Sequence, residues 1–161
     1  MRVRLIRIHS SQTEVRMAIN TGKVLIGGIA AGVVMNIVDF VSNKFILGAR
    51  MMAESEAFKP GMAASMMTTS AMVSNVVMDL VLGILLVWTY AAIRPRFGPG
   101  LKTAVYAAVL FWLLAGIFFS GYLHMGMMSS GLWWSFAFVG LVNFVLSAWV
   151  GAKLYSEDVV A

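Results

Sequence analysis

The chain has 161 residues, of which 60% are hydrophobic and only 12% charged, with a formal net charge of +5 and no cysteine. Soluble domains carry about 25% charged residues, and a chain this short cannot bury so much apolar side chain. The composition therefore points to a membrane protein. It excludes a disordered chain, an ordinary soluble enzyme and a DNA-binding domain. Without cysteine there are no disulfides, thiolate metal sites, iron–sulfur clusters or thiol–disulfide chemistry.

In chain order, residues 1–21 form a basic arm with Arg2, Arg4, Arg7 and Arg16. Each cation near an anionic leaflet is worth about 1 kcal/mol, so the arm is either a lipid-headgroup contact or only a topology signal. Met17, followed by Ala-Ile-Asn-Thr-Gly-Lys, is an alternative start. A helix needs about 20 apolar residues to cross the hydrocarbon core. Four stretches qualify, at about 22–47, 71–93, 101–123 and 132–152, with a short tail at 154–161. The first is too long, too far from Met1 and too acidic at Asp39 to be a signal peptide. Pro60-Gly61, the run Pro95 to Gly100, and Gly126 with Gly131 mark the breaks. Residues 62–70 either extend the second helix beyond the membrane or form a separate interfacial helix. Trp88, Tyr90, Tyr122, Trp133, Trp134, Trp149 and Tyr155 sit where interfacial aromatics belong.

The expected fold is an all-α membrane protein, a four-helix bundle spanning 22–153. Nine of the twelve Lys and Arg residues lie in the arm, the second loop and the C-terminal end, against Lys44, Arg50 and Lys59 in the first loop. That bias predicts both termini in the cytoplasm.

Charged residues inside a span default to functional hypotheses. There are two, Asp39 and Asp79. On the first helix Gly28, Gly32, Asn36, Asp39 and Asn43 share one face, and on the second Asn75, Asp79 and Gly83 do so. Counting inward from the outer helix ends puts Asp39 and Asp79 at about the same depth, roughly 12 Å in at 1.5 Å per residue. Asn43 then lies level with Asn75. If these helices are antiparallel neighbours, the carboxylates face each other among asparagine amides, with Gly28, Gly32 and Gly83 letting the backbones approach. Two close carboxylates in a low dielectric must share a proton, bind a cation or meet a basic partner. No Lys or Arg lies at that depth. The pair is therefore a proton or small-cation site, or a neutral hydrogen-bonded lock. Intramembrane aspartyl proteolysis does not fit, because Ile37-Val38-Asp39 and Val77-Met78-Asp79 lack that family's Tyr-Asp and Gly-x-Gly-Asp signatures. Asn143 and Ser147 are spaced i, i+4 on the fourth helix, with Ser135 outward of them, and Gly116 and Ser120 share a face of the third. These are read as packing and interhelical hydrogen bonds, or as a polar path from the aspartates.

Nine of the 13 methionines lie on the outer side, at positions 51, 52, 62, 66, 67, 72, 125, 127 and 128. His124, Met125, Met127 and Met128, with Met62 and Met66, form a candidate Cu(I) ligand set, since thioether and imidazole suit a soft ion. The alternative is flexible apolar filler. Haem is disfavoured, because His9 and His124 fall on opposite sides. There is no nucleophile–base arrangement and no phosphate loop, so no enzyme activity is expected, and nucleic acid is not an expected partner.

Phe45-Ile-Leu-Gly48 with Met51-Met52 after the first helix, and Asn143 in the fourth, give a layout that resembles small bacterial inner-membrane families with four helices and no assigned function. The resemblance implies the fold class and a bacterial inner membrane, and it carries no activity. The chain lacks the first-helix glutamate of small multidrug exporters and any fluoride-channel signature. Three functions are carried forward: a small transporter or channel using Asp39 and Asp79; a non-catalytic accessory subunit of a larger membrane complex; and outer-side Cu(I) handling. Beyond the bilayer, the expected partner is a second copy or another membrane subunit.

Overall fold

The computed structural model describes residues 17–159. Arg2, Arg4, Arg7, Arg16 and His9, with the lipid-contact reading of the arm, lie outside the described residues. The chain is helical: α1 (Thr21–Ser42), a π-helical turn (Asn43–Leu47), α2 (Gly48–Phe58), α3 (Met62–Met66), α4 (Thr69–Phe97), α5 (Leu101–His124) and α6 (Ser130–Leu154). A two-residue antiparallel pairing of β1 (Met17–Ala18) with β2 (Asp158–Val159) brings both ends of the described chain to one end of the bundle. Four helices are long and apolar enough to cross a membrane. This is a multi-pass membrane architecture.

Helix starts follow local chemistry. The side chains of Asn20, Thr68 and Ser129 cap α1, α4 and α6 by accepting from the amides of Lys23, Ala71 and Leu132. Pro95 stands in the last turn of α4, which ends at Gly98 with φ +82°. Pro60-Gly61 breaks the chain before α3, with Gly61 at φ +84°. Residues 62–70 thus resolve into a separate short helix and the first residues of α4, with the break at Met67 and Thr68.

The first span departs from its expected end. Thr21–Phe58 forms one helical rod of 38 residues, roughly 57 Å long against about 30 Å of hydrocarbon. Nothing between 47 and 58 forces a stop. Gly48 is accommodated by the π-helical turn, where its N–H donates to the Asn43 carbonyl. A Cβ on Gly48 would run into that carbonyl. The part beyond Leu47 carries Arg50, Glu54 and Glu56, past the apolar stretch.

α1 is the central helix. Toward α4, a Cβ on Gly28 would lie 2.5 Å from the Ile84 Cα, and one on Gly32 2.6 Å from the Leu80 Cα. A Cβ on Gly83 would strike the backbone of Gly28 and Gly32. Toward α6, Gly27 lies against the Gly151 carbonyl. Small residues thus let helix backbones touch on two sides of α1. α5 packs through Thr103, Ala104, Ala107 and Ala108, all buried, and the Trp112 indole donates to the Ala137 carbonyl of α6 at 2.7 Å. At the termini end, Arg94 pairs with Glu157 at 3.5 Å and sits over the Tyr155 ring.

The far end is fastened by a clasp. Arg50 Nε donates to Glu54 Oε1 at 3.0 Å and Arg50 Nη2 donates to Ser129 Oγ at 3.0 Å. Ser129 donates its backbone N–H to Glu54 Oε2 and its hydroxyl to Oε1, each at 2.7 Å. The clasp ties α2 to the first turn of α6. The Ser129 amide, with smaller help from its hydroxyl and from Arg50, holds the Glu54 carboxyl below the usual carboxylate range.

Two outcomes are expected. Gly83→Val should destabilise the bundle by about 1–3 kcal/mol in reversible unfolding in mixed micelles. Gly116→Ala, whose Cβ would meet nothing within 4 Å, should stay within about 0.5 kcal/mol of wild type. Because the carboxyl of Glu54 is lowered in the folded state, its clasp is fully formed above the ordinary carboxylate range and is lost as the pH falls through the lowered value. Amide exchange in α2, corrected for its intrinsic rate, should therefore speed up near about pH 3 relative to about pH 6. Glu54→Gln should abolish that difference.

Candidate functional site

The helix register decides where the polar residues meet. Gly28 lies against Ile84 and Gly32 against Leu80, and one turn further the Asn36 amide donates to the Val76 carbonyl at 3.3 Å. Each step of four residues along α1 is a step of four back along α4. Extending that register puts Asp79 level with Val33 and Asp39 level with Val73. The two aspartates are therefore offset by six residues, about 9 Å along the axis, rather than level as depth counting predicts. Counting from the helix ends fails because those ends do not lie at one level: Asp39 is eight residues from Leu47 yet level with Val73, four residues into α4.

Asp39 has a different neighbour. Asn143 of α6 donates from Nδ2 to Asp39 Oδ1 at 2.7 Å and makes a longer contact of 3.4 Å to the Met35 carbonyl. The Ser147 hydroxyl donates to Asn143 Oδ1 at 3.2 Å. Asn143 is 7% exposed and Ser147 is 0% exposed. A chain of three polar side chains thus runs from Asp39 toward the termini end, enclosed between α1 and α6. Among the described residues no Lys, Arg or His forms an ion pair with Asp39 or Asp79.

The other asparagines do not form a ring around the carboxylates. Asn36 bonds its own helix at the Gly32 carbonyl as well as α4. Asn43 is exposed and donates to the Asp39 main-chain carbonyl at 2.9 Å, so its amide is used within the rod. Asn75 is exposed, and Asp79 is half-buried. Neither side chain has a hydrogen bond among the described residues. Gly28, Gly32 and Gly83 stand at the α1–α4 contact, while Asn143 and Ser147, read from sequence as packing and interhelical hydrogen-bonding residues or as a polar path, form a hydrogen-bonded chain with Asp39. Their i, i+4 spacing signalled a shared face, but nothing in it says which helix that face meets.

The methionines of the expected Cu(I) ligand set are partly gathered. Met127 lines two shallow depressions beside Phe58, one shared with Met128 and Glu54, the other with Met62 and Ser65. Met66, Met125 and His124 line neither. The His124 ring nitrogen Nδ1 lies 2.6 Å from the Ser120 carbonyl. Among the described residues no group of three or more His, Asp or Glu side chains is placed to hold a metal ion.

No family profile, no curated protein and no solved structure matches this chain.

If the Asp39–Asn143 contact contributes to folding, a double-mutant cycle on Asp39→Ala and Asn143→Ala should give a coupling of about 0.6–1.7 kcal/mol, the range of interhelical polar contacts in membranes. Unfolding by steric trapping in bicelles reads it. Zero coupling would leave the pair without a structural role.

Proposed function

We propose that this chain is a small multi-pass protein of a bacterial inner membrane, with both termini cytoplasmic, that binds a proton or small cation at Asp39, beside a polar path formed by Asn143 and Ser147. The orientation rests on the excess of Lys and Arg at the arm, the second loop and the C-terminal end, together with the pairing of the two chain ends on one side. The bacterial setting rests on the resemblance in layout.

One observation carries the functional reading: an ionisable carboxyl inside an apolar bundle whose hydrogen bond is to a neutral amide, at 2.7 Å, and not to a cation. Ionisable residues at such depth mark ion and proton paths in membrane proteins. A neutral amide can serve both forms of the carboxyl. Its Nδ2 donates to the carboxylate, and loading a proton or cation on Asp39 weakens that bond without leaving a second buried charge behind. The Ser147 hydroxyl, next in line, donates its one proton to Asn143 and keeps lone pairs free to accept from the termini side. Asp79 lies off this hydrogen-bonded chain.

The reading is tested by flux into proteoliposomes loaded with a pH-sensitive dye. Asp39→Asn should fall to the level of empty liposomes while keeping its helix content and its elution volume. Ser147→Ala should slow flux several-fold, and Asp79→Asn should retain it. Wild-type flux no greater than that of empty liposomes, or full flux by Asp39→Asn, would overturn the assignment.

A further inference from the structure

The bundle is closed at its termini end and open at its far end. The buried residues of α4 are Gly83, Leu86, Val87, Tyr90 and Ala91, all in its second half. Those of α5 are Thr103, Ala104, Ala107 and Ala108, all near its start, which is the same end of the bundle. Beyond them the helices lean on different neighbours. α4 stays on α1 through Val76 and Asn36. α5 stays on α6 through Trp112 and Ala137 and through stacked Phe119 and Phe136. A Cβ on Gly116 or Gly121 of α5 would meet nothing within 4 Å.

Asn75 and Asp79 lie on this open part of α4. They continue, at spacings of 4, 4, 3 and 4, the face that carries Gly83, Leu86 and Tyr90. Lower down, this face is core. Higher up, it carries an exposed amide and a half-exposed carboxylate with no hydrogen-bond partner among the described residues. An unpartnered carboxylate and amide in lipid are costly, and a neighbouring helix can satisfy them. Among the described residues no Lys or Arg pairs with Asp79. Lys59 lies ten residues before the start of α4, and Lys44 lies over the rings of Phe40 and Phe45 on the outer side of α1.

We propose that the Asn75–Asp79 face of α4 is the docking surface for a transmembrane helix of a different protein, one that carries a lysine or arginine at the depth of Asp79. Charge complementarity selects this occupant. A second copy of the chain would bring another carboxylate and another amide to the same depth, and no cation. The partner's cation would pair with Asp79, and Asn75, one turn above, would accept from or donate to the same side chain or its helix. The inference is independent of the binding site proposed at Asp39.

Energy transfer in vesicles tests it. The chain has no cysteine, so Ser70→Cys gives a unique donor site at the outer end of α4. The labelled protein is reconstituted in phosphatidylcholine vesicles with acceptor-labelled Leu-Ala transmembrane peptides that differ at one central residue: Lys, Leu or Glu. The Lys peptide should associate roughly 5- to 30-fold more strongly than the Leu peptide, the scale of one interhelical polar contact. The Glu peptide should show no gain. Asp79→Asn should remove the preference for Lys, Asn75→Ala should reduce it, and Asp39→Asn should keep it. Equal transfer to the Lys and Leu peptides on the wild-type protein would overturn the proposal without reference to any variant. So would strong transfer between two labelled copies of the chain that Asp79→Asn abolishes, which would identify a second copy as the occupant.

Discussion

The contact on which this molecule depends is backbone against backbone, where Gly28 and Gly32 of α1 meet Ile84, Leu80 and Gly83 of α4. Lipid chains are as apolar as leucine, so two membrane helices gain little from hiding apolar side chains and must gain from close van der Waals contact instead. Three missing Cβ atoms provide that contact and also fix its register. The register in turn decides depth. It sets Asn36 against Val76, places Asp79 one and a half turns from Asp39, and leaves the α6 side of α1 to a second small-residue contact at Gly27 and Gly151. Asn143 reaches Asp39 because α6 is drawn equally close.

Much of the architecture could be read from the residues, and for simple physical reasons. Four apolar stretches of span length declare themselves by hydropathy, and Pro60-Gly61 and Pro95 to Gly100 stop helices because of their backbone geometry. The glycines of α1 and α4 were legible as contact positions because their spacing places them on one face. The partner of Asp39 was not. Depth counting assumes that each helix is cut where its apolar run stops, yet α1 continues as a rod to Phe58 and carries its polar residues at a different height relative to α4. Asn43 was read as a neighbour of the carboxylates, but the widened turn folds its amide back on the Asp39 main-chain carbonyl. Periodicity within one helix reports a face and is silent about which of three neighbours that face will meet.

The bundle is divided into two unlike halves. Near the termini, alanines and glycines pack four helices together and the half-buried Arg94 faces Glu157 and Tyr155. Toward the other end, contacts become pairwise: α4 with α1, α5 with α6, α2 with the start of α6. Polar side chains are concentrated where packing thins. Asp39 lies at the boundary, half-buried, with its hydrogen bonds leading into the tight half and its helix leading out to the clasp.

The π-helical turn at Asn43–Leu47 has a geometric consequence for that helix. A turn that takes in about one residue more than an α-helical turn is equivalent to a single insertion, and it rotates everything beyond it by about 100° relative to an uninterrupted helix. With the turn in place, Leu47 is buried and the clasp residue Glu54 meets Ser129 at the start of α6. Deleting one residue from this stretch would restore a regular helix at no cost to its backbone hydrogen bonds, but it would swing α2 a quarter turn about its own axis and aim Glu54 away from Ser129. The phase of the rod beyond it is thus set by a turn that begins one α-helical turn after Asp39, so the half-buried carboxylate and the clasp are two readings on the same dial.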